Sequence, residues 1–207
     1  MSREPTSHER MSGRPWDASY TGDEPAPWDI GRPQPAVEGL VAAGAFKGAV
    51  LDAGCGSGEN ALAVAASGLP VLGVDVAETA ISRAREKAAD RGIGAEFAIV
   101  DAFELERIGR TFDAVLDCGL LHTFDAEEEP RYVASLGRVT RPGSRLHLLC
   151  FSDEGEDLGP HPVGSAELET TFNEATGWSI TTLDAARIET NFHDHGASGW
   201  LAGIDRI

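Results

Sequence analysis

The stretch LDAGCGSGEN (residues 51–60) restricts this chain more than any other, because Gly54, Gly56 and Gly58 alternate between an apolar run and a segment of helical spacing. Glycine supplies tight or left-handed backbone and lets a ligand come close to the main chain. The run before the turn, AVLDAG (49–54), reads as a short buried strand. ENALAVAAS (59–67) reads as a helix stopped by Gly68. Strand, glycine turn and helix in that order belong to α/β folds, where ligands bind beyond the carboxyl ends of the strands, beside the first one.

The pattern then repeats. PVLGVDV (70–76), AEFAIVDA (95–102), TFDAVLDCG (111–119) and SRLHLLCFS (144–152) read as strands. Between them, 77–92 carries Ala77, Ala80, Ile81, Ala84 and Ala88 on one helical face, and 129–141 runs from Pro130 in its first turn to a stop at Pro142-Gly143. A helix over 165–177, a strand over 178–183 and a strand-like end over 199–207 follow, with no crossover helix between the last two. The expected fold is a Rossmann-like, doubly wound α/β domain: a mostly parallel seven-stranded sheet with an antiparallel edge strand. Residues 1–15 are polar without apolar periodicity and are expected to be a disordered tail, leaving 16–207 as one domain.

Composition narrows the function. A net charge of −17 over 207 residues argues against nucleic acid as a partner, since that binding neutralises phosphates with Lys and Arg. DAEEE (125–129) and DEGED (153–157) read as solvated acidic loops. No apolar run approaches the ~20 residues of a membrane span. Cys55, Cys118 and Cys150 form neither a disulfide framework nor a ligand cluster, which points to a cytoplasmic protein. His193 and His195 share a strand face but lack a third ligand nearby, so no metal site is expected. The partner expected is a small molecule, and the protein a monomer or homodimer.

The turn itself rejects two ligands. It has no lysine, so it is not a triphosphate loop. Glu59 stands where the dinucleotide fingerprint has its third glycine, and an acid there competes with a pyrophosphate at a helix N-terminus. The ligand expected is nucleoside-like and free of phosphate. Asp75 follows Asp52 by 23 residues, near the roughly 20-residue offset at which an acid reaches ribose hydroxyls. Asp101 is placed to accept from an exocyclic amine, with Ala102 and Phe103 as apolar walls.

In order along the chain, VLDAGCGSGENAL, VLGVDVAETAI, IVDAFEL, FDAVLDCGLLHTF and VTRPGSRLHLL resemble the successive motifs of class I S-adenosylmethionine-dependent methyltransferases, over roughly residues 28–205. PWDIGRPQP (27–35) adds a likeness to the thiopurine and thiol or halide small-molecule subgroup. The resemblance implies S-adenosyl-L-methionine as cofactor. Asp52, Gly54, Cys55, Gly56 and Gly58 would then line its methionine part, Asp75 and Val76 its ribose, Asp101, Ala102 and Phe103 its adenine, and Asp117 and Cys118 the region of the sulfonium. Residues 16–46 would form a lid, which nominates Trp28, Asp29, Gly31 and Gln34.

Methyl transfer from a sulfonium is an in-line displacement that asks for placement and dryness more than for acid or base. Trp16, Tyr20 and Trp28 suit a dry lid and equally suit anchors for the arm. His122, Tyr20 and Asp117 are the catalytic candidates. His122 follows strand four on the ligand side, either as a base for an oxygen acceptor or as a structural hydrogen-bonding residue; His161 lies in a loop that would contact the acceptor. Thiol sulfur is the first acceptor expected and a phenolic or quinone-type oxygen the second. A non-catalytic cofactor-binding domain and an NAD-dependent dehydrogenase remain as rivals.

Overall fold

A computed structural model describes residues 3–22, 24–155, 159 and 161–207; part of the acidic stretch 153–157 lies outside the described residues. Seven strands, β1 (Val50–Ala53), β2 (Val71–Asp75), β3 (Ala95–Ile99), β4 (Ala114–Cys118), β5 (Arg145–Phe151), β6 (Trp178–Thr190) and β7 (His193–Arg206), form one sheet in the order β3-β2-β1-β4-β5-β7-β6. β7 runs antiparallel to both its neighbours, and β1 to β5 are parallel. The strand order reverses between β1 and β4, which opens a crevice at their carboxyl ends.

Helices α1 (Ser7–Ser12), α2 (Pro35–Ala42), α3 (Glu59–Ala66), α4 (Glu78–Arg91), α5 (Glu128–Arg138) and α6 (Ser165–Thr171) surround it. One core lies under α5 and α6, with Leu51, Val115, Tyr132, Leu136, Leu148 and Trp178 in it. The other holds Val50, Leu62, Ile81, Phe97 and Leu116, against α3 and α4. Both faces of the inner strands are therefore buried, which is why β1 reads as a continuous apolar run broken only by Asp52.

Three local expectations are corrected. The helix expected over 165–177 breaks at Phe172, whose backbone is extended, because the Asn173 side chain accepts from Ala175 N–H and starts a separate short turn, Glu174–Thr176. The two end strands are longer than expected, 13 and 14 residues, and meet in a hairpin at Asn191-Phe192. Residues 3–15 are folded rather than loose. Thr6 and Glu9 form a reciprocal capping box that starts α1, both side chains are buried, and Ser7 binds Glu128 through its N–H (2.7 Å) and its hydroxyl (2.5 Å).

Candidate active site

The glycine turn sits at the top of β1 with Gly54, Gly56 and Gly58 all at positive φ. Two of them are also sterically required. A Cβ on Gly58 would come within 2.8 Å of Ala84 Cβ, and one on Gly56 within 2.8 Å of the Tyr20 hydroxyl. The turn thus packs against α4 on one side and the N-terminal arm on the other. Between turn and arm lies a cavity of about 200 Å³.

Asp75 lines this cavity and also ties it together. One carboxylate oxygen accepts from Gly56 N–H and the other from Ala77 N–H, each at 2.9 Å, and burial raises its pKa. Each oxygen keeps a further lone pair for a ligand hydroxyl. Asp101, at the end of β3, spends one oxygen on Phe103 N–H at 3.0 Å, which turns Ala102 and Phe103 into the same wall. Val76, Ala102, Phe103, Cys55 and Cys118 all line the cavity; burial pushes both thiols up, so they stay neutral.

Asp52 and Asp117 do not line it. Asp117 is fully buried below the tip of β4, level with Ala53 in the neighbouring strand. Its carboxylate accepts from Leu120 N–H (2.9 Å), Leu121 N–H (3.2 Å) and the Tyr132 hydroxyl (2.9 Å), and burial lifts its pKa to about 6. It braces the segment after β4 from behind and does not reach the cavity. Asp52 is also buried, one of its oxygens has no hydrogen-bond partner, and burial together with Asp117 and Asp75 raises it to about 8.

The arm contributes more than a lid edge. Trp28 donates to the Tyr20 hydroxyl at 2.8 Å, and burial drives the Tyr20 pKa upward. Tyr20 therefore keeps its proton and braces the arm against the turn. Asp29 accepts from Ser57 Oγ at 2.6 Å, whereas the Gln34 side chain is bound at both ends to the Glu189 backbone. Gln34 lines the cavity but anchors the arm to β6; Gly31 lies outside the lining. Glu59 faces Lys87 (2.9 Å) and Arg91 (2.7 Å), whose charges lower its pKa. Its charge is balanced, so it opposes a pyrophosphate less than the sequence alone implies.

At the other end of the cavity, three imidazoles gather. His122 is 8% exposed and burial holds its pKa down to about 3. His8, on α1, stacks on Trp16 with ring centroids 4.3 Å apart and meets His161 edge-on at 6.0 Å. Phe124 and Phe151 complete this wall. His8 escapes the sequence reading, although T-S-H-E (6–9) carries the capping-box signature that would have placed a helix there. His193 bonds Thr190 at the hairpin and His195 is exposed, so neither belongs to the site.

Residues 50–143 match the family model described as a methyltransferase domain. The chain is 34% identical over 195 residues to 2-heptyl-1-hydroxyquinolin-4(1H)-one methyltransferase of Mycobacteroides abscessus, covering 88% of this chain and 85% of that protein. It belongs to the S-adenosylmethionine-dependent methyltransferases. A probable thiol methyltransferase of Arabidopsis thaliana is 29% identical over 82% of this chain and 74% of its own length. A structure solved in connection with conversion of a disulfide bond into a thioacetal group during echinomycin biosynthesis superposes with TM-score 0.79 and 39% identity, covering 91% of this chain and 88% of that one. The methyltransferase's cofactor is S-adenosylmethionine, and a magnesium protoporphyrin IX methyltransferase sharing this fold has been solved with it bound and with S-adenosylhomocysteine bound. Among the described residues no helix is long and apolar enough to cross a membrane.

Proposed function

We propose that this methyltransferase alkylates a small, flat acceptor carrying an ionisable hydroxyl, inside a pocket closed by its own N-terminal arm. The observation that carries this reading is the polarity of the cavity. Carboxylates (Asp29, Glu59, Asp75, Asp101) lie towards the strand tips, and imidazoles and aromatic rings without a carboxylate form the other end. Similarity to a hydroxyquinolone methyltransferase supports an oxygen acceptor of that kind. A thiol is the second reading, favoured by the similarity to a probable thiol methyltransferase and to the structure from disulfide-to-thioacetal chemistry.

The residues present fit the cofactor. The turn 54–58, with no room for a side chain at Gly54, Gly56 or Gly58, would receive the methionine part. Asp75 would accept from the ribose hydroxyls with its spare lone pairs, and Asp101 from the adenine amine. Val76, Ala102 and Phe103 would flank the base. Hydrogen bonds to an ionised group contribute roughly 1.5–3 kcal/mol each. When bound, the cofactor supplies a methyl group on positively charged sulfur.

The chain's own part is positioning and exclusion of water. Trp16, Tyr20 and Trp28 are linked ring to ring over the turn, with Trp28 5.6 Å from Trp16 and 6.2 Å from Tyr20. Holding the acceptor against the methyl can supply roughly 7–11 kcal/mol of the barrier. An apolar wall favours a step in which charge disperses.

The test is calorimetric titration with S-adenosylmethionine and NAD, followed by transfer of labelled methyl to a panel of N-hydroxyquinolones, phenols and thiols. The expected result is binding of S-adenosylmethionine alone and label on the hydroxylated heterocycles first. NAD binding alone would overturn the reading, and cofactor binding without transfer to any acceptor would leave a binding domain.

A further inference from the structure

His122 follows β4 at the place where a general base would stand, but its surroundings give it the opposite task. Its Nδ1 faces the backbone N–H of Phe151 at 3.5 Å, a long contact. A backbone N–H can only donate, so the ring proton belongs on the other nitrogen, Nε2. His122 lines the cavity, and among the described residues Nε2 has no protein partner and is not sealed off. The nitrogen turned to the cavity therefore carries a proton to share and offers no lone pair.

The charged and titratable groups around His122 do not make it a base either. His8, from α1, and His161, from the loop after β5, are the groups that face it, and both act against its protonation together with its burial. No carboxylate among the lining residues comes from the 119–124 segment or β5. The carboxylates that line the cavity stand at the glycine turn and the strand tips: Asp29 on Ser57, Glu59 at the start of α3, and Asp75 and Asp101 at the ends of β2 and β3; Asp117 lies behind the wall.

Resting on the methyltransferase reading above, we infer that His122 is a hydrogen-bond donor to an acceptor that enters already ionised, so the site selects acidic hydroxyls or thiols as their conjugate bases. The electron balance needs no protein base. A lone pair of the acceptor anion forms the bond to the methyl carbon, the carbon–sulfur bond breaks, and its electron pair stays on sulfur as a neutral thioether. Anion and sulfonium cancel and no proton moves. His122 marks where the anion sits; the arginines that line the cavity, Arg3 and Arg32, are already paired with Glu9 and Glu189.

The test uses ring-substituted phenols and thiophenols, and 1-hydroxyquinolin-4-one, spanning acidities on both sides of neutral, with wild type, His122→Gln and His122→Leu. Glutamine keeps an N–H donor and cannot take a proton. For the acidic acceptors we expect kcat/KM of His122→Gln within about threefold of wild type and that of His122→Leu at least about tenfold lower. In wild type, the pH midpoint of kcat/KM should move with the acidity of each acceptor. A midpoint fixed across the series, Gln as inactive as Leu, or Leu as active as wild type would overturn the inference; the midpoint needs no variant and so stands even if one fails to fold. Calorimetry with S-adenosylhomocysteine on the same preparations separates the two levels: absent binding in wild type sinks the methyltransferase reading, and intact binding confines a failure to His122.

Discussion

One wall of the cavity rises from β1, β2 and β3, and the opposite wall is assembled from α1, the 119–124 segment, the loop after β5 and the β6–β7 hairpin. In the first, the lining residues lie within short strand-turn-helix units, held by local hydrogen bonds such as Ala77 N–H to the Asp75 carboxylate and Phe103 N–H to that of Asp101. In the second, partners are distant in sequence: Ser7 with Glu128, Arg10 with Asp125, Asn191 with the carbonyls of Ala26 and Asp29. Local geometry is dictated by local sequence, whereas the second wall exists only once the domain has closed. On the function proposed above, the strand wall would be the fixed platform for the cofactor and the arm wall the part that varies with the acceptor.

The sharpest way to break this comparison is to exchange the fates of two strand-tip acids. Asp117→Ala leaves three buried donors unsatisfied and should lower the unfolding free energy by about 3 kcal/mol or more, with cofactor affinity of the folded fraction unchanged within about threefold. Asp75→Ala should instead weaken S-adenosylmethionine binding roughly tenfold to hundredfold, read by calorimetry. Denaturant melts and titrations giving the reverse pattern would show that the walls are wrongly assigned.

Next in size is the arm. Deleting residues 1–14 removes His8 and the Ser7–Glu128 clamp, and should reduce kcat/KM for the acceptor about tenfold or more while changing cofactor affinity less than about threefold. Equal losses for both ligands would mean that the arm serves the whole cavity and not one wall.

The smallest effect concerns pH. Asp52 is an acid whose folded pKa, about 8, lies above its unfolded value, so the folded state holds a proton the unfolded state has lost. Its contribution to stability is greatest below the unfolded pKa and is lost as pH rises from about 4 through 8. Asp52→Asn should therefore flatten the fall in Tm between pH 6 and 8, measured by thermal unfolding; an unchanged slope would show that Asp52 does not titrate there. His122 and His147 act in the other direction, because burial lowers them to about 3 and about 4, and their loss appears only as pH falls below the ordinary histidine range.

How far the sequence was legible follows the same division. The sheet, its glycine turn and the position of Asp75 and Asp101 beside the cavity could be read because spacing and the strand-helix alternation set them locally. Asp117 looked equivalent to Asp75, since both acids end short apolar strands. Register separates them: Asp75 is the last residue of β2, and Asp117 precedes the last residue of β4. A one-residue shift points a side chain to the other face, where Tyr132 waits. Tail residues 3–15 were misjudged because hydrophobic periodicity is blind to a six-residue helix whose anchors, Thr6, Glu9 and Ser7, are polar. His8 came with them.

A crystal structure with S-adenosylhomocysteine bound is the most direct measurement of the account. It should show the ribose hydroxyls within hydrogen-bond distance of Asp75, the adenine beside Ala102 and Phe103, and the sulfur directed towards the His8, His122 and His161 end. A ligand seated elsewhere, or one turned end for end with its amino-acid part among the imidazoles, would contradict it.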